Sequence, residues 1–116
     1  MKPKYIREEV YRENIYILYG SSSKVLEAAI KEMFGVEVPS NPSYDGRCLE
    51  IAGKQKGRLV RSIWIWTRYR DPAALAHECL HAVEYILQNR ISFTDVTVEA
   101  YCYLLEMLVR RGLEKD

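Results

Sequence analysis

At 116 residues, 48% hydrophobic and with a formal net charge of +1, the chain suits a single domain, 1–116, with room for one core. Its 17 basic and 16 acidic residues are interspersed, so composition gives no electrostatic case for nucleic acid as a partner. No apolar run approaches a membrane span and Met1 to Glu8 lacks an apolar signal segment, so a cytoplasmic protein with no membrane partner is expected.

In chain order, Ile15-Tyr16-Ile17-Leu18-Tyr19, closed by Gly20, has the β-branched and aromatic character of a strand. Ser21 to Ser23 can cap a helix in which Val25, Leu26, Ala29, Ile30 and Met33 recur at helical spacing, with Gly35 beyond its end. Val36 to Arg47, with Pro39, Pro42 and Gly46, reads as an irregular loop. A hairpin follows, from Cys48 to Ala52, through a turn at Lys54-Gln55-Lys56-Gly57, and back from Leu59 to Trp66. Ile63-Trp64-Ile65-Trp66 is apolar at every position, which predicts an interior strand covered on both faces with both tryptophans in the core, the alternative being that they line a substrate pocket. The basic residues Lys54, Lys56, Arg58, Arg68 and Arg70 read as solvated charges at the turn and strand end.

Asp71-Pro72 sets a helix start: an N-cap carboxylate followed by a residue with no amide hydrogen to leave unsatisfied. Inside that helix falls His77-Glu78-Cys79-Leu80-His81, which is HExxH. Residues i and i+4 project from one helix face about one turn apart, so both imidazoles can reach one Zn²⁺ while the glutamate acts as base beside it. Ala76, Leu80, Val83 and Leu87 form the predicted packing stripe next to the histidine face. Cys79 points away from the histidines and reads, like Cys48, as a small buried hydrophobe. The three cysteines are odd in number and contain no CxxC pair, which fits a reducing compartment.

Two histidines require a third protein ligand. A second helix is predicted from about Asp95 to Arg111, ending at Gly112. Asp95, Glu99, Cys102, Tyr103 and Glu106 share its polar stripe, and Val98, Tyr101, Leu105, Leu108 and Val109 its apolar one. A connection from Gln88 to Thr94 is short enough for an antiparallel helix pair, which returns Glu99 to the level of the histidines. Glu99 is therefore the expected third ligand, with Asp95, Cys102, Glu106 and Glu84 as alternatives. Tyr103, one turn after Glu99, is the expected phenolic donor, and Tyr85, one turn after His81, the alternative.

The stretch from Asp71 to Met107, with HExxH followed by Glu99-Ala100-Tyr101-Cys102-Tyr103-Leu104-Leu105, resembles the zincin metallopeptidases of the glutamate-ligand type. It is most similar to compact zincin-like proteins of phages and mobile elements and to the ImmA/IrrE-type peptidases. The resemblance implies Zn²⁺ as cofactor, held by His77, His81 and Glu99, Glu78 as general base, and a polypeptide as substrate. It implies an α+β fold in which helices pack on one face of a small twisted sheet, with an edge strand holding the substrate backbone. Two departures from the ImmA/IrrE pattern stand in this sequence: no methionine-proline ending follows Leu104-Leu105, and no helix-turn-helix region is expected beside the domain. The rival reading is a non-catalytic zinc-binding module, regulatory or structural.

Overall fold

The structure is a computed structural model that describes residues 2–40, 45–88, 90 and 98–114. Within them the chain forms β1 (Lys4–Glu8), β2 (Glu13–Tyr19), α1 (Lys24–Phe34), β3 (Gly46–Gln55), β4 (Arg58–Thr67), α2 (Pro72–Leu87) and α3 (Val98–Leu113). The fold is α+β, and its strands make one mixed sheet in the order β1-β2-β4-β3. β1 and β3 each run antiparallel to their neighbour, and β2 and β4 are parallel. Among the described residues no helix is long and apolar enough to cross a membrane.

The alternation of β2 and β4 builds two cores. Ile15, Ile17, Ile63 and Ile65 face α2 and α3, whereas Tyr16, Leu18, Trp64 and Trp66 face α1. Ile63 to Trp66 are each 0% exposed, as expected of an interior strand. The helices therefore lie on both faces of the sheet, which corrects the one-sided arrangement expected from the resemblance. Tyr16 and Trp64, partners in register, stack at 4.3 Å and 15°, and the Trp64 indole N–H donates to Ser62 Oγ at 2.9 Å. Burying a side chain of that size contributes about 1.5–3 kcal/mol, and the bonded N–H avoids the cost of an unsatisfied donor.

The sequence reading gave no strand at Lys4–Glu8. Every second residue faces inward there, but one of them is Glu8, 1% exposed. Its carboxylate accepts the amides of Val10 at 2.5 Å and Tyr11 at 2.8 Å, closing a turn in which Arg12 adopts φ 60°. A buried, bonded carboxylate breaks the apolar alternation that marks a strand.

The hairpin is longer than predicted, ten residues per strand. Its turn is the pair Lys56-Gly57, at φ 51° and 77°, the double positive-φ geometry that matches strand twist. Gly46 and Arg47, expected in a loop, begin β3 instead.

α2 starts as predicted: Asp71 is extended and its carboxylate accepts from Ala73 N at 3.3 Å and Ala74 N at 3.4 Å, with Pro72 first in the helix. Val83 and Leu87 of the expected stripe are fully buried, together with Leu75, Cys79, Ala82 and Ile86, whereas Leu80 is 46% exposed, so the packing face is shifted at the N-terminal half of the helix. α3 runs antiparallel to α2: Gly112 meets Leu75 at one end, and Val98 shares a groove with Gln88 at the other. Its final carbonyls are capped by distant side chains, Tyr19 Oη on Gly112 O at 2.5 Å, Lys4 Nζ on Arg111 O at 2.9 Å and Arg70 on Leu113 O at 2.8 Å.

Candidate functional site

β3 is one of the two outer strands of the sheet, and its first residues face α2 across an open cleft of about 710 Å³. α2 contributes His77, Glu78, His81 and Tyr85 to the lining; Gly46 and Cys48 contribute from β3. The HExxH residues are thus brought to one cleft, beside a strand whose one partner among the described residues is β4.

Both histidines are solvent-exposed. Their ring centroids lie 5.1 Å apart and their planes 76° from parallel, the outcome of i, i+4 spacing on a continuous helix. Glu78, only 8% exposed, turns the other way, against the strand. A methyl group at Gly46 would stand 2.7 Å from Glu78 Oε2, so the carboxylate lies directly on the β3 backbone. Burial raises the Glu78 pKa above its ordinary value, and the neighbouring His77 and His81 offset part of that rise.

The thiols beside it are held neutral. Burial, reinforced by the Glu78 charge, pushes Cys79 up to about 12, and the same two causes raise Cys48 further. Cys79 is fully buried and Cys48 half-buried, as small packing residues. Tyr85 also has a raised phenol, first from burial, with Cys48 and the nearby Glu50, Glu84 and Glu78 carboxylates adding to it. Its end of α2 is tied to the sheet. Arg61 donates to Tyr85 O at 2.9 Å and pairs with Glu50 at 2.6 Å, and buried Glu13 pairs with Arg61 at 3.3 Å and Arg90 at 3.1 Å.

α3 places its predicted residues differently. Glu99 and Tyr103 are exposed and line neither the histidine cleft nor the neighbouring groove. At 100° per residue, Glu99 lies about 180° around α3 from buried Leu108. Glu106 is exposed too, and Cys102, also exposed, lines the groove between α2 and α3, so none of the described residues of the expected stripe lines the histidine cleft. Glu84, also exposed, belongs to an apolar groove with Leu80, Tyr101 and Leu105. Asp95 lies outside the described residues.

Two imidazoles beside a buried carboxylate are the donor types that bind zinc and supply a base next to it, and His77, His81 and Glu78 fit those roles. A third donor does not join them: among the described residues no group of three His, Cys, Asp or Glu is placed to hold a metal ion. Of the cleft phenols, Tyr85 is present where Tyr103 was expected. Gly46 is the lining residue that sequence reasoning missed; its signal is a glycine inside a strand. Comparison with protein-family models, curated proteins and solved structures gives no match.

Proposed function

We propose that this chain is a zinc-dependent peptidase of the zincin-like type, in which His77 and His81 supply two of the metal's ligands and Glu78 is the general base. The observation that carries this reading is the position of the Glu78 carboxylate, buried beside the two exposed imidazoles and against the face of β3 that is turned to α2.

The chain's own residues have distinct tasks. The outer edge of β3 pairs with no other strand among the described residues, so its N–H and C=O groups can add an extended peptide as a further strand, which fixes the peptide backbone along the cleft. A peptide held there passes over Glu78 and beside His77 and His81. Burial gives Glu78 a higher proton affinity than an exposed carboxylate, which suits a group that takes a proton from water and returns it to a leaving amine. Tyr85, the phenol in the same cleft, is the candidate hydrogen-bond donor to the carbonyl oxygen as it gains charge. Zinc, when bound, would acidify a water molecule and polarise the carbonyl.

The substrate class is polypeptide. The experiment is to load the protein with Zn²⁺, incubate it with a mixed peptide library and unfolded proteins, and identify new termini by mass spectrometry. New termini that disappear with chelator and with Glu78→Gln support the peptidase. Zinc binding without cleavage, unaltered by Glu78→Gln, would favour the non-catalytic metal-binding module.

A further inference from the structure

We infer that Gly46 is a positioning residue for Glu78: the absence of a side chain at the start of β3 is what lets the carboxylate lie against the strand and beside the histidines. This rests on the peptidase reading, with Glu78 as base.

A glycine inside a strand weakens it and calls for a reason. Backbone conformation is not the reason, because the positive-φ glycines among the described residues are Gly35 and Gly57. The surroundings supply it. A Cβ at Gly46 would stand 2.7 Å from Glu78 Oε2, 3.0 Å from its Cγ and 3.1 Å from its Cδ, all closer than ordinary contact. The strand cannot retreat, since Gly46 is in register with Thr67 of β4 and Asp45 just before it is tied to Arg68. Those ties are Arg68 N to Asp45 O at 2.7 Å and Arg68 Nε to Asp45 Oδ1 at 2.8 Å.

What yields to a methyl group is therefore the flexible end of Glu78. Its carboxylate must withdraw by roughly 0.7 Å to reach ordinary contact, a displacement large enough to spoil a proton-transfer geometry. The contrast is Gly53, whose Cβ would meet Phe34 Cβ at 2.9 Å. There the obstacle is core packing, and substitution costs stability instead.

The test compares zinc-loaded wild type, Gly46→Ala, Glu78→Asp and the double variant on one cleaved peptide. Gly46→Ala is expected to lower kcat on the order of ten- to a hundredfold, with KM and zinc affinity within about threefold, because neither the strand edge nor the histidines move. The double variant should cleave at least as fast as Glu78→Asp alone, since the shorter carboxylate clears the added methyl. An unchanged kcat for Gly46→Ala, a raised KM with kcat intact, or simply additive losses would overturn the inference.

A thermal cycle with Glu78→Ala in metal-free protein reads the same contact without activity. Gly46→Ala should be better tolerated, by a few degrees in Tm, once the Glu78 side chain is gone. If Gly46→Ala alone fails to fold, recovery in the Glu78→Ala background supports the inference and failure of both overturns it. An active wild type with an additive thermal cycle would reject the role of Gly46 and leave the peptidase standing. An inactive wild type with a coupled cycle would reject the peptidase and leave the placement of Glu78 by Gly46 standing.

Discussion

The rings of His77 and His81 stand 5.1 Å apart and nearly perpendicular on the exposed side of α2, while Glu78 between them in sequence turns about 100° away onto β3. One helix thus offers two nitrogen donors to solvent and one carboxylate to the face of a strand.

Metal affinity should follow that division. His77→Ala and His81→Ala are each expected to weaken zinc binding by orders of magnitude, and Glu99→Ala by less than about tenfold, because Glu99 sits on the solvated side of α3. Titration calorimetry of the three variants gives the ranking. A loss for Glu99→Ala as large as for the histidines would mean that α3 turns toward α2 when metal binds.

How much of this was legible in the sequence depended on whether one residue served one purpose. Asp71-Pro72 has a single local meaning, so the start of α2 and the shared face of His77 and His81 were predictable. Ile63 to Trp66 were legible as an interior strand because both faces are apolar. The same fact already demanded cover on both sides, which a one-sided arrangement of helices could not give. β1 was not legible because its inward Glu8 is a turn anchor. Glu99, Cys102 and Glu106 formed a polar stripe, and such a stripe looks the same whether it faces a metal or water. Gly46 resembled a loop residue because its meaning lies in a carboxylate 32 positions later, a tertiary contact that no local pattern encodes.

The raised pKa of Glu78 has a definite sign in stability. The folded state of the metal-free protein binds a proton at this carboxyl more readily than the unfolded chain does. The benefit is fully present below the ordinary value of 4.5 and is lost as pH rises through the raised folded value. At neutral pH the ionised group therefore costs stability, and Glu78→Gln should raise Tm at pH 7 by about 2–5 °C, with the difference vanishing near pH 4. Calorimetry at the two pH values measures it; a variant less stable than wild type at pH 7 would contradict the burial argument.

Cysteine reactivity should separate the three thiols. With Cys79 at about 12 and Cys48 raised further, neither yields thiolate near pH 8, and Cys79 is also fully buried. Cys102 is exposed. Iodoacetamide at pH 8 is expected to modify Cys102 alone in the native metal-free protein and all three cysteines after denaturation, read by intact mass and peptide mapping.

The anchoring of α3 predicts unequal tyrosines. Tyr19→Phe removes the bond to Gly112 O and should cost about 1 kcal/mol. Tyr103→Phe, on the 47% exposed residue, should stay within about 0.5 kcal/mol and leave peptide cleavage unchanged, whereas Tyr85→Phe should slow cleavage. Urea denaturation and rate measurements on the three variants check both statements.

The most direct test of the central claim is Glu78→Gln, assayed for zinc content and peptide cleavage on the same zinc-loaded preparation. The site as described predicts zinc retained near wild-type stoichiometry, because the histidines are untouched, and cleavage lowered by at least about a hundredfold. Cleavage that survives the substitution, or zinc lost together with activity, would contradict the assignment of Glu78 as the base beside a metal held by His77 and His81.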